Sequence, residues 1–203
     1  VTDGATIILD ETVPIGYYVQ CSNPFADIAA GAWYQGAVSY AYTYGIMQGV
    51  GDNAFAPGTT LNRAMMVQML YNLAGNPDTE GSVFGDVNSG DWYADAVAWA
   101  ASSGIVNGIG ENLFAPGASI TREQMAVMLY NYCRSAGIDL PAVKENGTFA
   151  DAAGISGYAQ EAVQAMYQAG ILNGKGDGIF DPKGTATRAE VAQMMMNFLE
   201  ATQ

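Results

Sequence analysis

The sequence predicts a mainly α-helical protein made of three helix–loop–helix repeats. Three observations carry this prediction: the same anchors return in register, each copy has apolar residues at helical spacing, and glycine and capping residues mark the helix ends. A repeat of about fifty residues is typical of small units that bury their apolar faces against one another. The anchors are Phe25-Ala26-Asp27, Phe84-Gly85-Asp86 and Phe149-Ala150-Asp151, then Phe55-Ala56-Pro57, Phe114-Ala115-Pro116 and Phe180-Asp181-Pro182, with an arginine six residues after each proline.

The anchors divide the 203-residue chain into an N-terminal segment and three repeats. We define repeat 1 as residues 25–78, repeat 2 as 84–138 and repeat 3 as 149–203. The N-terminal segment, 1–24, has apolar runs at 6–9 and 17–19 around a turn from Pro14 to Gly16, which is typical of a β-hairpin. The remnant of a preceding domain is the alternative. No run of about 18 apolar residues is present, so no membrane-spanning helix is expected.

The first helix of each repeat is predicted from apolar residues four positions apart, so one of its faces should be buried. The helix should end at Gly45, Gly104 or Gly170, because glycine tolerates the left-handed conformation that is common after a helix C-terminus. The residues at this spacing are Trp33, Ala37 and Ala41; Trp92, Ala96 and Ala100; and Tyr158, Ala162 and Met166.

The second helix of each repeat begins with a capping signal. Thr187 with Glu190, and Thr121 with Gln124, have the spacing of a capping box. In repeat 1, Asn62 can cap the helix without an acidic or amide partner. A stripe rich in methionine follows each cap, and interior packing is favoured over a peptide-binding groove for it.

Composition excludes several classes of function. The chain carries 7 basic and 20 acidic residues, for a formal charge of −13, so nucleic acid and anionic membranes are not expected partners. Histidine is absent, which removes Ser-His-Asp and Cys-His catalysis and histidine-assisted zinc sites. The two cysteines, Cys21 and Cys133, form no CxxC pair and are either bridged or buried as thiols.

Three arginines, Arg63, Arg122 and Arg188, are predicted at the first position of the second helices, where the helix dipole disfavours a cation. Two explanations remain open. The arginine and the exposed helix N–H groups can form a site for a ligand carboxylate or phosphate. Alternatively, each arginine is paired with an acid of the chain, for which the candidates are Asp27, Asp86, Asp151, Asp52, Glu111 and Asp177.

The aromatic residues Trp33, Trp92 and Tyr158 also allow two interpretations. As the first apolar residues of a helix they are expected to be core anchors, but aromatic faces also stack on sugar rings. Glycines beside them would let a ligand approach the main chain, and these are Gly45, Gly49, Gly104, Gly108, Gly170 and Gly174.

The acidic loops at 51–53, 110–112 and 176–178 invite comparison with calcium loops. They lack the dense alternating oxygen ligands that calcium requires, so they are interpreted as turns. No metal and no cofactor is expected.

As a set in triplicate, the Phe-x-Asp start, the Gly-Ile-x-x-Gly turn, the Phe-x-Pro segment and the motif Thr187-Arg188-Ala189-Glu190 resemble three tandem S-layer homology domains. The resemblance runs from about Phe25 to the C-terminus. It implies a pseudo-threefold body around a central three-helix bundle, with one helix from each repeat and grooves between neighbouring repeats.

The same resemblance implies an extracellular, non-catalytic module at the bacterial cell surface that anchors proteins to secondary cell-wall polysaccharide. The expected ligand is a pyruvylated amino sugar whose carboxylate pairs with Arg63, Arg122 or Arg188, beside the groove aromatics Trp33 and Trp92. Tyr158 is the third such aromatic. S-layer or other surface proteins are further candidate partners.

Departures from the motif predict unequal grooves, because only repeat 3 keeps the acid at the fourth position of the motif, Glu190, where repeats 1 and 2 have Met65 and Gln124. A protein–protein or lattice scaffold without glycan binding is the alternative function. A carboxylate-based glycoside hydrolase is disfavoured, since no pair of acids is singled out by its spacing.

Overall fold

The computed structural model describes residues 23–81 and 84–202, which are mainly helical. Each repeat contributes two α-helices, as predicted, and two short 3₁₀ turns, Ala152–Gly154 and Gly157–Ala159, precede the first helix of repeat 3. The predicted N-terminal hairpin and Cys21 lie outside the described residues. The helices are α1 (Gln35–Thr43), α2 (Arg63–Leu73), α3 (Ala94–Ser102), α4 (Arg122–Ala136), α5 (Gln160–Gln168) and α6 (Arg188–Thr202).

The helix ends follow the signals in the sequence. Gly45, Gly104 and Gly170 come directly after the C-caps of α1, α3 and α5 and have φ values of 68°, 69° and 76°, as the predicted left-handed termini require. Thr121 forms the complete capping box with Gln124. The side chain of Asn62 accepts a hydrogen bond from the N–H of Met65, so all three capping predictions hold when repeat 3 is included.

The helices pair between repeats rather than within them. In the described part of the chain, α3 packs on α2, α5 packs on α4, and α1 packs on α6. Each first helix therefore lies on the second helix of the preceding repeat, and repeat 1 completes the cycle by packing on repeat 3. The second helices α2 and α4 also contact each other, and the rings of Tyr132 in α4 and Phe198 in α6 lie 6.0 Å apart.

The core confirms the interior assignment of the methionine stripes. Met66, Met125 and Met195 are almost fully buried in one hydrophobic cluster that runs through all three repeats. The largest buried side chains include the phenylalanines of the Phe-x-Pro segments, Phe55, Phe114 and Phe180, each with no exposed surface. These three rings lie where the repeats meet.

The aspartate of each Phe-x-Asp start holds the Phe-x-Pro segment of its own repeat. In repeat 2, Asp86 accepts hydrogen bonds from the N–H groups of Phe114 and Ala115 at 2.8 and 2.7 Å. Asp27 and Asp151 make the equivalent pairs in the other repeats. The residues that donate the second bond, Ala56, Ala115 and Asp181, have φ values of 56°, 58° and 59°. Residues other than glycine rarely adopt this left-handed conformation unless the surrounding structure stabilises it.

These bonds also set the ionisation of the aspartates. Burial alone would raise the pKa of Asp86, but the N–H donors of Phe114 and Ala115 outweigh burial and hold its pKa below the ordinary value. The charged carboxylate is therefore the form that stabilises the fold near neutral pH.

The role of Asp86 in holding the Phe-x-Pro segment can be tested by substitution. Asp86→Ala should lower the free energy of unfolding by about 1–3 kcal/mol, because two N–H groups and a left-handed residue lose their acceptor. Urea unfolding at pH 7 measures the change, with Asp139→Ala as the control because Asp139 is exposed. Equal losses in both variants would contradict the role given to Asp86.

Candidate functional site

The arginines Arg63, Arg122 and Arg188 are the first residues of α2, α4 and α6, as predicted, and each reaches into another repeat. The Nε atom of Arg63 donates to the carbonyl oxygen of Phe114 at 2.9 Å, and Nη2 donates to the carbonyl of Asn107 at 3.1 Å. Arg122 makes the same two bonds to repeat 3, and Arg188 makes them to repeat 1. Each arginine is only 6% exposed.

The alternative that these arginines are paired with acids of the chain is wrong. The salt bridges among the described residues are Lys175–Asp181 and Lys183–Glu123. Carbonyl oxygens and a phenylalanine ring take the place of an acid, with the three guanidinium carbons 4.6, 5.1 and 4.4 Å from the ring centroids. Burial lowers the pKa of Arg188. The negative charge of Asp27, which forms no salt bridge with Arg188, acts in the opposite direction.

The helix N–H groups expected to be open to a ligand are not open. The N–H groups of Arg63 and Ala64 donate to the carbonyls of Ala118 and Pro116, both at 3.0 Å, and the next N–H is bonded to the N-cap side chain. The starts of α4 and α6 repeat this arrangement. An anion at these sites would therefore have to be held by side chains, since the helix termini are already satisfied.

One nitrogen of each guanidinium remains for such a role. Among the described residues Nη1 makes no hydrogen bond to protein, and every fully buried polar side-chain atom there has a partner. The Nη1 atoms therefore reach solvent. Arg122 and Arg188 line open grooves on the surface.

The aromatic residues are exposed, so their interpretation as core anchors is wrong. Trp33, Trp92 and Tyr158 are 64%, 61% and 61% exposed and precede the helices that they were expected to begin. The ring of each tryptophan lies nearly perpendicular to that of the next residue, with ring centroids 5.2 Å apart at Tyr34 and 5.1 Å apart at Tyr93. Most of each indole is therefore exposed to solvent.

The tryptophans and arginines meet in two grooves, and all three repeats line each of them. Groove A, of about 240 Å³, is lined by Trp33 from repeat 1, Arg122 from repeat 2, and the 171–175 turn and α6 from repeat 3. Groove B, of about 670 Å³, is lined by the 46–50 turn and α2 from repeat 1, Trp92 from repeat 2 and Arg188 from repeat 3.

A pair of amide side chains in each groove was missed by the sequence reasoning. Gln68 donates to the side-chain oxygen of Asn72 at 2.9 Å in groove B, and Gln193 donates to Asn197 at 2.9 Å in groove A. The asparagine in turn donates to the carbonyl of the isoleucine in the Gly-Ile-x-x-Gly turn. The signal was available, because an asparagine nine residues after the arginine interrupts the apolar stripe in all three repeats.

The equivalent position at Tyr158 is built differently. Its hydroxyl donates to Glu123 at 3.0 Å, and the same carboxylate accepts from Lys183 and from the N–H and hydroxyl of Ser156. Repeats 1 and 3 have Ala64 and Ala189 where repeat 2 has Glu123. Glu123 is 2% exposed, so a buried carboxylate holds the third aromatic in place.

The glycines have two structural roles. Gly45, Gly104 and Gly170 follow the ends of helices. Gly49, Gly108 and Gly174 allow two main-chain segments of the same repeat to pack closely. A Cβ at Gly108 would lie 2.6 Å from the carbonyl oxygen of Leu113 and 2.7 Å from the ring of Phe84. Gly49 and Gly174 also line the grooves, so their close main-chain packing shapes the groove walls.

The acidic loops form turns, as predicted, with left-handed conformations at Asp52, Glu111 and Asp177. Within residues 23–81 and 84–202, no three His, Cys, Asp or Glu side chains come together as a metal site would need.

Comparison with known families decides the classification. A model of the S-layer homology domain matches the chain three times, at residues 24–65, 83–126 and 148–192. The chain belongs to the S-layer homology domain family. One match falls in each repeat and ends near the start of its second helix, so the matches include Trp33, Trp92, Tyr158 and the motif arginines.

The chain is also similar to parts of several larger proteins. It is 35% identical over 173 residues to an amylopullulanase of Thermoanaerobacterium thermosulfurigenes, covering 83% of the chain and 9% of that protein. It is 33% identical over 179 residues to the S-layer protein sap of Bacillus anthracis, covering 84% and 20%. It is 28% identical over 200 residues to the surface-layer 125 kDa protein of Lysinibacillus sphaericus, covering 97% and 16%. The chain thus spans a fifth or less of these relatives.

Family membership and the surface-layer relatives identify this S-layer homology chain as a cell-wall anchoring module at the cell surface. The same findings indicate an anchor rather than a catalyst, and the match to the amylopullulanase covers only a small part of that enzyme. None of the helices in the described ranges is both long and apolar enough to span a bilayer.

The close main-chain packing at Gly108 can be tested by substitution. Gly108→Ala should destabilise the S-layer homology fold by about 1–3 kcal/mol, because the new methyl group overlaps main chain that cannot move freely. Thermal unfolding measures the loss. The matched control is Gly117→Ala, since a Cβ at Gly117 would meet no atom within 4 Å; a similar loss in both variants would argue against the close packing.

The buried carboxylate gives a second test, based on pH. Burial would raise the pKa of Glu123, but the bonds from Lys183, Ser156 and Tyr158 outweigh it and lower the pKa from its ordinary 4.5. Its contribution to stability is therefore present above pH 4.5 and is lost as the pH falls through the lowered folded-state pKa.

Glu123→Gln should accordingly cost about 1–3 kcal/mol of unfolding free energy at pH 7. The difference from the parent protein should shrink at acid pH, where both carry a neutral side chain. Urea unfolding of both proteins across this range checks the prediction, and a difference that stays constant with pH would count against it.

Proposed function

We propose that grooves A and B bind an acidic sugar of the secondary cell-wall polysaccharide, with a pyruvylated amino sugar as the preferred unit. One observation carries the proposal. Each groove combines an exposed tryptophan, a buried arginine with one solvent-facing nitrogen, and a Gln–Asn amide pair, drawn from three different repeats.

Each component suits a different part of such a sugar. The indole face stacks on the apolar face of a pyranose ring. The amides donate and accept hydrogen bonds with hydroxyl or acetamido groups. The free Nη1 of Arg122 or Arg188 supplies a charge-assisted hydrogen bond to a ketal carboxylate.

Local charge outweighs the overall charge at short range. The chain carries a formal charge of −13, which repels an anionic polymer at a distance. At physiological salt, charges beyond about 8 Å are largely screened, so the arginine beside the ligand dominates the interaction.

The third position, around Tyr158 and Arg63, is proposed to bind the sugar weakly. The hydroxyl of Tyr158 is already bonded to Glu123. Repeat 2 also has Val127 in place of the glutamine that grooves A and B contain. The third position therefore lacks both the tryptophan and the Gln–Asn pair of grooves A and B.

We also propose that the repeats form a pseudo-threefold body around a bundle of α2, α4 and α6. The cyclic order of the helix pairs and of the arginine contacts supports this arrangement. The contacts between α2 and α4, and between Tyr132 and Phe198, support the bundle.

Binding to purified cell-wall polysaccharide, with and without chemical removal of the pyruvyl groups, tests the proposal. Trp33→Ala and Trp92→Ala should each weaken binding at their groove by between about twofold and tenfold, as expected for the loss of one stacked aromatic face. Because both side chains are largely exposed, neither substitution is expected to unfold the protein. Tyr44→Ala is the control, because Tyr44 is 54% exposed and lines neither groove.

Two outcomes would contradict the proposal. Equal retention of the protein on depyruvylated wall would remove the acidic group from recognition. Unchanged retention of the double variant Trp33→Ala, Trp92→Ala, together with concentration-dependent assembly without glycan, would favour a protein scaffold.

A further inference from the structure

The two open grooves differ at the residue that follows the last glycine of the Gly-Ile-x-x-Gly turn. Groove A has Lys175 there, and groove B has Val50. The second helix adds Glu190 to groove A and Met65 to groove B. Groove A is thus the smaller groove and is lined by several charged side chains, whereas groove B is larger and carries Arg188 among mainly apolar and amide side chains.

Lys175 is placed by its own repeat. Its N–H donates to the carbonyl of Ile179 at 2.8 Å, and its ammonium forms an ion pair with Asp181 at 2.7 Å. Asp181 stands at the left-handed position where repeats 1 and 2 have Ala56 and Ala115. The Lys–Asp pair is therefore a feature of repeat 3. An ammonium group has three donors, so Asp181 leaves donors of Lys175 available to a ligand.

Other charges around groove A restrict where an anion can lie. Lys144 donates to the side chain of Asn173, whose carbonyl accepts from Arg122. The acid that lines groove A is Glu190, whose Oε2 accepts hydrogen bonds from the N–H and hydroxyl of Thr187 at 2.7 and 2.9 Å. The charged residues that line groove A are Arg122, Lys175 and Glu190, and Lys144 is bonded to the Asn173 side chain of the same groove. An anion is repelled near Glu190 and attracted near Lys175.

We propose that Lys175 makes groove A selective for a glycan with a second anionic group, a carboxylate or phosphate, next to the sugar held by Arg122. Groove B has Val50 at this position and selects a unit with a single anionic group. The two grooves then recognise different segments of one acidic polymer. This inference rests on the proposed function of the grooves.

Selectivity can be measured separately in each groove by calorimetric titration. The Trp92→Ala background weakens groove B and reports on groove A, and the Trp33→Ala background does the reverse. The probes are a pyruvylated amino-sugar disaccharide with a neutral neighbour and the same disaccharide with a uronic acid neighbour. They differ by one carboxylate.

In the Trp92→Ala background the uronic acid probe should bind about two- to fivefold tighter than the neutral one, the range of an exposed ion pair. Lys175→Val should bring the ratio of the two affinities close to one. Asp181→Ala should keep or raise the ratio, because it frees the ammonium of Lys175. Val50→Lys in the Trp33→Ala background should give groove B the same preference.

The outcomes separate the two claims. The inference about Lys175 fails alone if the neutral-neighbour probe binds but the ratio of the two affinities is one from the start. It also fails alone if that probe binds and Lys175→Val leaves the ratio unchanged. If neither probe binds the parent protein, the proposed glycan function fails and this inference fails with it. A ratio that falls to one in Lys175→Val and persists in Asp181→Ala supports the inference.

Discussion

The fold depends on a buried guanidinium that joins one repeat to another. Arg63, Arg122 and Arg188 each donate to two main-chain carbonyls of another repeat and lie over a phenylalanine ring. The carbonyl is held in place because the N–H of the same phenylalanine is bonded to an aspartate. The aspartate, phenylalanine and arginine anchors in the sequence are therefore one structural unit, in which two members come from one repeat and the third comes from its neighbour.

This junction also explains why the grooves lie where they do. The arginine is buried by the contact between repeats, yet its Nη1 atom faces the surface at the edge of that contact. A tryptophan from one repeat and an amide pair from another are brought to the same edge by the cyclic helix pairing. No single repeat contains a complete groove, so assembly of the three repeats and construction of the site are the same event.

Local features of the fold could be predicted from the sequence, and features formed between repeats could not. The helices, the caps at Asn62 and Thr121, and the glycine termini depend on residues within a few positions of one another. The partners of the arginines were not predictable, because they are main-chain carbonyls that have no side-chain signature. The exposure of Trp33 and Trp92 could not be predicted, because the four-residue spacing of apolar residues continues into the residues before the helix begins. The binding role of the site residues stays a prediction.

The closure of repeat 1 on repeat 3 has a consequence for biogenesis. The bond between Arg188 and Phe55 joins residues 133 positions apart. Contacts of such long sequence separation form late, because the entropy of the intervening chain must be lost first. The carbonyl of Phe55 in repeat 1 acquires its partner only when Arg188 of repeat 3 has been synthesised. The junction that closes the cycle is therefore the last of the three to form, and repeat 1 cannot complete its contacts without repeat 3.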